Sequence, residues 1–272
     1  MSDKPVSTWT RFRAPPPADD SRPLDATIFQ PLIARRADYR DAFYGRVAES
    51  PDQCILVIAW NSGAACDAFA AAPAGGRQLL ASLTTIAGDG EAVGEAPQKQ
   101  RFPVITRKVD FGKEAFWWRF GPNTEVRTVY FPREGNGEQS HVREAVVGLK
   151  GLVLTMGLGI DGRRAHLSPY RGVPACGWVI GEEEEKGHGD DGSRASEFVT
   201  WEGRQASACL WIHYWKDREA EQRFKTTEKR PPPDGESHRP LATEAFEDDL
   251  RGLGALGWED YHVDFVKVPG TI

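Results

Sequence analysis

The residues best suited to chemistry stand at alternate positions of one apolar run in the second half of the chain: Trp211, His213 and Trp215. Alternate residues of a β-strand point to the same side, so we expect these three side chains to share one face. A histidine between two tryptophans suits a pocket for a flat aromatic ligand, because the rings can stack and the imidazole can accept a phenolic proton near neutral pH. The alternative is a histidine that is satisfied by a partner within the core.

A second candidate group lies on a predicted strand of the first half, where Tyr44 and Arg46 alternate. Arg46 stands on a face that is otherwise apolar, and its forked guanidinium could hold a carboxylate, an enolate or another oxyanion. A salt bridge with a nearby acid is the alternative interpretation. When the two halves are aligned, Tyr44 and Arg46 fall on Cys176 and Trp178, which adds Trp178 to the candidate ligand contacts.

Sequence signatures of the common cofactors are missing. No GxGxxG opens a helix after a strand, and neither GxxxxGK[ST] nor GxSxG occurs. The glycine-rich Gly157–Gly162 segment does not fit a phosphate cradle and is interpreted as a turn. Histidines and acidic residues show no metal-ligand spacing. We therefore expect no nucleotide, flavin or metal cofactor.

The elements that must position these residues occur twice. Cys54–Phe69 (CILVIAWNSGAACDAF) is repeated in degraded form at Cys209–Phe224 (CLWIHYWKDREAEQRF), 155 residues later, with Trp60 aligned to Trp215. In both copies an apolar run ends in tryptophan and leads into a helix-compatible segment, which is typical of a buried strand feeding an amphipathic helix. A repeated strand–helix unit indicates a duplicated domain.

The predicted order of elements in each half is β-α-β-β-α-β, the ferredoxin-like plan of an antiparallel sheet with two helices on one face. We therefore predict an α+β protein with one repeat over residues 1–115 and a second over 123–272. The second repeat carries an acidic, glycine-rich insert near 181–198, interpreted as a solvated loop or as a lid over a pocket mouth. Helices are predicted at 24–40, 63–86, 140–156 and within 217–253, and strands at 5–13, 41–48, 54–60, 102–111, 125–131, 175–180, 207–215 and 261–268.

The segment FYGRVAESPDQCILVIAWNSGAACDAF resembles the antibiotic biosynthesis monooxygenase-like group of dimeric α/β-barrel proteins. That group shows a strand, a Ser–Pro or acidic–Pro turn, an apolar strand ending in tryptophan, a small polar step and a helix with phenylalanine. The likeness spans residues 41–70 and, more weakly, 207–224. It implies that two ferredoxin-like sheets, paired across a dimer in the family, form an intramolecular pseudo-dimeric α/β barrel here.

The resemblance also implies where a ligand would bind. In the family the tryptophan that ends this strand looks toward the barrel cavity, which would make Trp60 and Trp215 cavity residues. Many relatives carry a helix histidine where this chain has Cys66 and Glu221, which argues against haem binding. The best-understood activity of the family is oxygenation of an anthrone-type phenol without flavin or metal.

The leading functional hypothesis is a cofactor-independent tailoring enzyme of secondary metabolism that acts on an aromatic, polyketide-like small molecule. In this hypothesis a monooxygenase uses His213 or Arg46 to form and stabilise a substrate anion. One alternative is a cyclase, dehydratase or isomerase in the same pocket, and another is a non-catalytic barrel that binds a small molecule. The predicted substrate-binding residues are Trp211, Trp215, Trp60, Tyr44 and Trp178.

Composition limits the partners and the compartment. A net charge of −6 over 272 residues argues against nucleic acid or an anionic membrane surface as partner, because both need a basic face. The four cysteines form no CxxC pair and are expected to be buried thiols in a reducing cytosol. We find no signal peptide and no apolar run near the roughly 20 residues that span a membrane. A cytoplasmic protein is expected, and whether two chains associate is left open.

Overall fold

The computed structural model describes residues 4–15, 24–88, 104–112, 116–133, 138–149, 169–180, 199–227 and 241–270. Within these ranges the chain is a mixed α/β protein whose paired strands run antiparallel. Its contacts separate two compact units, Met1–Pro122 with His262–Ile272, and Asn123–Tyr261. No helix in the described ranges is long and apolar enough to cross a bilayer. Gly157–Gly162 and the insert predicted near 181–198 lie outside these ranges.

The first unit contains a sheet with helices on one of its faces. In this sheet β3 pairs with both β2 and β1, and β1 pairs with β4, which gives the order β2-β3-β1-β4. Short 3-10 turns stand before and after α1. The elements are β1 (Ser7–Arg13), α1 (Gln30–Ile33), β2 (Tyr39–Val47), β3 (Ser50–Trp60), α2 (Gly63–Ala71), α3 (Gln78–Gly88) and β4 (Ile105–Asp110).

The core of the first unit lies between this sheet and its helices, because alternate residues of β2 and β3 are apolar on that side. Trp60 at the end of β3 is buried in this core, and its indole Nε1 donates a hydrogen bond to Thr8 Oγ1 at 2.9 Å. The next helix starts at a capping residue, since the Ser62 hydroxyl accepts a hydrogen bond from the Ala65 amide. The predicted sequence of apolar strand, tryptophan, capped helix is therefore present here.

The second unit has the same arrangement of its principal strands. Here β8 pairs with both β6 and β5, and β9 lies beside β5, which gives the order β6-β8-β5-β9. Its core again lies on the helix-facing side of the sheet. The elements are β5 (Thr124–Pro132), α4 (Glu138–Leu149), β6 (Ala175–Ile180), β7 (Thr200–Trp201), β8 (Arg204–Tyr214), α5 (Arg218–Lys225), α6 (Ala242–Gly252) and β9 (Gly257–Val263). The last strand of the chain, β10 (Val266–Lys267), lies in the first unit.

Two predicted elements differ from the structure. The helix predicted over 24–40 is reduced to α1 and its 3-10 turns, because Asp25 caps a 3-10 turn and Pro31 stands in the first turn of α1. The strand predicted over 261–268 is divided between β9 and β10. The ferredoxin-like repeats and the barrel that would join them remain predictions.

The C-terminal residues also differ from the predicted domain boundaries. These residues are predicted in the second repeat, whereas His262–Ile272 groups with the first unit. The reason is pairing with a distant strand: Val266 and Lys267 pair with β2, and the Val268 amide donates to the Ala42 carbonyl at 2.9 Å.

Gly45 on β2 lies against this C-terminal segment, and replacing it tests how closely the two are packed. A Cβ atom at Gly45 would lie 2.5 Å from Val263 Cγ1 and 2.6 Å from the Asp264 carbonyl oxygen. We expect Gly45→Ala to lower the free energy of unfolding by about 1–3 kcal/mol, because backbone atoms must move. Urea unfolding measures the change.

Gly252→Ala is the matched control for that substitution. Gly252 ends α6, and nothing lies within 4 Å of a Cβ atom there. Alanine favours helix over glycine, so this variant should be as stable as the wild type or more stable. Equal stability losses in the two variants would contradict close packing at Gly45.

Candidate functional site

The three predicted aromatic and imidazole side chains of the second half lie together on the helix-facing side of the sheet. Trp211, His213 and Trp215 are all fully buried. The His213 ring is stacked at 5.9 Å from Trp215, lies 6.2 Å from Tyr170 and meets Phe246 of α6 edge-on at 6.4 Å. His213 is therefore enclosed by aromatic rings between the sheet and the helices.

The neighbouring strand β5 adds two charged residues to this face. The strand register places Glu125 opposite His213 and Arg127 opposite Trp211. Glu125 is 0% exposed and Arg127 is 1% exposed. Charged side chains are almost never this deeply buried unless they are paired. The partners of these two residues therefore decide whether the arrangement is stable.

Glu125 is held by donors from two elements. Its carboxylate accepts hydrogen bonds from Trp215 Nε1 at 2.6 Å and from Lys225 Nζ at 2.8 Å. Lys225 also donates to Glu221 at 2.7 Å, one turn earlier on α5. Burial by itself would raise the pKa of Glu125, but His213, Lys225 and Arg127 outweigh it and lower that pKa to about 2. Glu125 is therefore ionised at neutral pH.

The guanidinium of Arg127 contacts acidic residues of β9 and α6. Its Nε and Nη2 atoms donate to the two carboxylate oxygens of Asp260, each at 2.6 Å, and Nη2 also lies 3.7 Å from Glu247. The guanidinium carbon lies 5.5 Å from the centre of the Phe246 ring. A bidentate pair of this kind fixes the orientation of the guanidinium plane as well as its charge.

Within the described residues, four buried nitrogen atoms of β5 and β8 on this face have no hydrogen-bond partner: both ring nitrogens of His213, Nε1 of Trp211 and Nη1 of Arg127. Nε1 of Trp178, on the adjacent strand β6, is a fifth on this face. His213 Nδ1 lies 3.7 Å from Glu125 Oε2, which is too long for a hydrogen bond. Buried polar groups in proteins are nearly always paired, with protein, ordered water or ligand. These nitrogens, grouped on one strand pair, are therefore available to hydrogen-bond ordered water or a ligand.

His213 is neutral at physiological pH. Burial is the main cause, and it lowers the pKa of His213 to about 4. The positive charges of Arg127 and Lys225 lower this pKa further, whereas the negative charges of Glu125 and Glu221 raise it. A neutral imidazole can accept a proton. The same surroundings raise the pKa of the nearby Tyr170 hydroxyl well above 10, again chiefly through burial.

The first unit has the same tryptophan contact without the charges. There Trp60 donates to Thr8, just as Trp215 donates to Glu125. The residue opposite Thr8 is Ile58, at the position that the sequence repeat aligns with His213. The polar cluster thus belongs to the second unit, and the corresponding place in the first unit has a neutral hydroxyl and an aliphatic side chain.

The remaining predicted site residues lie elsewhere. Tyr44 is buried in the core of the first unit, with its ring centroid 4.8 Å from that of Phe29. Arg46 is also in the first unit, where its Nη1 donates to the Pro51 carbonyl at 2.7 Å and lies 3.5 Å from the Ala14 carbonyl oxygen. Arg46 thus holds backbone carbonyls of the strand ends, which neither interpretation of its sequence position anticipated.

Trp178 lines a cavity of about 60 Å³ in the second unit. The other lining residues are Phe131, Pro132, Val142, Arg143, Ser207, Leu253 and Gly254. Sites that enclose drug-sized ligands have volumes of roughly 300–1,000 Å³, so a tricyclic aromatic molecule does not fit in this cavity. Trp211, His213 and Trp215 do not line this cavity.

Sequence reasoning missed Glu125 and Lys225, which form the buried ion pair of the cluster. Glu125 and Arg127 alternate along β5, so their common face could have been read from the strand. Lys225 gave no such signal, because its contact with Glu125 joins residues 100 positions apart in the chain. Tyr170 lies in a short segment that forms a bridge with Trp215 and that no periodic pattern marks.

No protein family and no curated protein was found to match this sequence. Solved structures with similar folds include an anthrone oxidase-like protein, at 13% identity and a TM-score of 0.48, with 100% of this chain and 98% of that chain covered. A Lactobacillus acidophilus protein provisionally named a monooxygenase has 9% identity and a TM-score of 0.47, with coverages of 97% and 94%. A protein provisionally named a chlorite dismutase has 8% identity and a TM-score of 0.46, with coverages of 98% and 97%. At these values the matches assign neither a family nor an activity to the chain.

Glu125→Gln tests whether the ion pair with Lys225 stabilises the second unit. Removing the charge leaves the buried Lys225 ammonium with Glu221 alone, and we expect the free energy of unfolding to fall by about 3 kcal/mol. Glu219→Gln is the control, because its ion pair with Arg223 is exposed, and it should remain close to the wild type. Similar stabilities of both variants in urea unfolding would show that the buried pair contributes nothing.

The pH dependence of stability gives a separate test of His213. Its pKa is about 6.5 in the unfolded chain and about 4 in the folded one, so between these values only the unfolded chain takes up the proton. The free energy of unfolding should therefore fall by about 3 kcal/mol as the pH drops from 6.5 to 4. Below pH 4 this residue adds no further change.

His213→Gln supplies the comparison for that titration. Urea unfolding of both proteins between pH 7 and pH 4 should show the slope in the wild type and a flatter profile in the variant. The difference between the two profiles reports the histidine together with the carboxylate of Glu125, whose pKa His213 lowers. Parallel profiles would mean that His213 has an ordinary pKa in the folded protein.

Proposed function

We propose that the protein is a cofactor-independent enzyme that activates an aromatic, polyketide-like small molecule by acid–base chemistry, and that it works as a monooxygenase. The observation that carries this proposal is the set of unmatched nitrogens of His213, Trp211 and Arg127 on the helix-facing side of β5 and β8. Such a set combines a base with hydrogen-bond donors, which is what the formation of a substrate anion requires.

His213 is the proposed general base. It is neutral at pH 7, and the ionised Glu125 lies 3.7 Å from its Nδ1 atom. A carboxylate in this position orients the imidazole and stabilises the imidazolium that forms when the other nitrogen takes a proton. Contacts of this kind are commonly long in a free enzyme and shorten when substrate binds. Nε2 would then accept the proton from the substrate.

Arg127 and Trp211 are the proposed donors to the substrate anion. Arg127 Nη1 and Trp211 Nε1 are buried N–H groups without partners within the described residues, and their strands place them opposite each other. Donors already fixed in a dry site stabilise developing negative charge without reorganisation. Arg46, whose guanidinium donates to backbone carbonyls in the first unit, is the alternative residue for this role.

The chemistry that follows needs no bound cofactor if the substrate is electron-rich. In an anthrone-type substrate, loss of a proton from the ring methylene gives a carbanion, which transfers electrons to dioxygen. One oxygen atom ends in a new carbonyl group and the other leaves as water. The protein's part is to take the proton, hold the anion and position the ring, and the stacked Trp215 and Tyr170 rings suit the last task.

The strand order supports the domain plan that the proposal assumes. The strands of both units follow the order second, third, first, fourth, as expected for ferredoxin-like repeats. The Tyr170 ring lies 6.2 Å from His213 and 4.3 Å from Trp215, so it is the ring beside which a substrate at His213 would lie.

A panel of hydroxylated anthrones and naphthols tests the proposal with the purified protein. Tryptophan fluorescence reports binding, and an oxygen electrode with absorbance spectroscopy reports turnover. The wild type should consume oxygen as the substrate is converted, and His213→Gln should lower kcat by about 10²–10⁴-fold. Glu219→Gln, which changes an exposed ion pair, should keep wild-type kinetics.

Other outcomes separate the alternatives. Conversion that is equally fast without oxygen would indicate a cyclase, dehydratase or isomerase in the same site. Saturable binding without conversion by the wild type would indicate a carrier. Absence of binding across the panel, or unchanged kcat in a folded His213→Gln variant, would contradict the proposed site.

A further inference from the structure

The second unit also brings two thiols together in a place that the proposed chemistry does not use. Cys176 on β6 and Cys209 on β8 both lie in the helix-facing core, and their Sγ atoms are 3.0 Å apart. The register pairs Cys176 with Trp211 and Trp178 with Cys209, so the two cysteines are diagonal neighbours on adjacent strands. No two of the four cysteines, all of which lie in the described ranges, form a disulfide.

The separation of the two sulfur atoms suits a covalent bond better than a shared metal ion. Two thiolates bound to one tetrahedral metal at about 2.3 Å would stand roughly 3.8 Å apart. A disulfide needs the sulfurs at about 2.05 Å, so from their present 3.0 Å they must approach by only about 1 Å. Closing the bond requires the two strands to approach slightly as well as rotation of the side chains, because diagonal neighbours start from a wide Cα separation.

We propose that Cys176 and Cys209 form a reversible dithiol–disulfide pair that responds to peroxide. In the first step the Cys176 thiolate attacks one peroxide oxygen and the O–O bond breaks. Hydroxide is the leaving group, and Cys176 becomes a sulfenic acid. In the second step the Cys209 sulfur attacks the Cys176 sulfur, the S–O bond breaks, and water leaves as the disulfide forms. Overall, two thiols and one hydrogen peroxide give one disulfide and two waters, and a dithiol reductant reverses the oxidation.

The surroundings assign different roles to the two thiols. Cys209 is fully buried, and burial raises its pKa well above 9, so it does not provide the first thiolate. Cys176 is only half-buried and is the one a small oxidant can reach. Arg143 lies 5.3 Å from the Trp178 ring, and its positive charge opposes only part of the rise in the pKa of Cys209. Cys176 therefore attacks the oxidant and Cys209 resolves the sulfenic acid.

The strand register also indicates that the bond would be easily reduced. Diagonal neighbours on antiparallel strands have Cα atoms about 7–8 Å apart. Ordinary disulfides join Cα atoms about 4.4–6.8 Å apart, and strained bridges are the more oxidising and labile ones. The bridge would link β6 to β8 across the connection that contains residues 181–198. A bond with these properties is suited to switching rather than to permanent stabilisation.

Peptide mapping of the full-length protein tests the proposal. The reduced protein is treated with a small molar excess of hydrogen peroxide, denatured in the presence of N-ethylmaleimide, and digested without reductant. We expect a peptide linked through Cys176 and Cys209, while Cys54 and Cys66 are alkylated. Treatment with dithiothreitol before the alkylation should return both thiols and remove the linked peptide.

Three variants make the result decisive. Cys209→Ser should form no linked peptide and should accumulate a sulfenic acid at Cys176 that dimedone traps. Cys176→Ser should consume no peroxide at Cys209, and Cys54→Ser should form the linked peptide as the wild type does. Circular dichroism before oxidation checks that each variant is folded.

The opposite results would overturn the proposal. They are alkylation of all four cysteines after oxidation, a bridge between other cysteines or between chains, and direct oxidation of Cys176 to a sulfinic acid in the wild type. The experiment uses no substrate, so its outcome is independent of the proposed enzymatic function.

Discussion

The buried carboxylate of Glu125 is the constraint on which the second unit depends. An ionised carboxylate without water is strongly destabilising unless donors surround it. Here the indole of Trp215 and the ammonium of Lys225 supply those donors. Strand β5, the end of β8 and helix α5 must therefore meet at one point, and this requirement fixes where the helix lies on the sheet. The neutrality of His213 follows from the same arrangement, because burial and nearby cations oppose a second positive charge.

Sequence reasoning recovered the parts of the fold that local patterns encode. The apolar runs that end in Trp60 and Trp215 predicted β3 and β8. Periodicity succeeds here because alternation and helical spacing act over a few residues. It failed over 24–40, where Pro31 and the Asp25 cap favour short turns. It also failed near the C-terminus, where pairing with distant β2 decides the structure.

The sequence predicted which side chains of the candidate site share a strand face, but not what packs against that face. Strand alternation gave the shared face of Trp211, His213 and Trp215, but it could not show whether helices or a ligand cavity meets that face. The answer depends on side chains far away in sequence, such as Lys225 and Phe246. Arg46 shows the reverse difficulty: a lone charge on an apolar strand face suggested chemistry, whereas the structure pairs it with backbone carbonyls of strand ends.

The contrast between Trp60–Thr8 and Trp215–Glu125 has an evolutionary consequence. At the position of Thr8 and Ile58, one neutral hydroxyl and one hydrocarbon can each be exchanged for similar residues with modest penalties. At the position of Glu125 and His213, every change alters the charge felt by several buried neighbours. Substitutions should therefore accumulate more freely at this position in the first half of the chain than in the second.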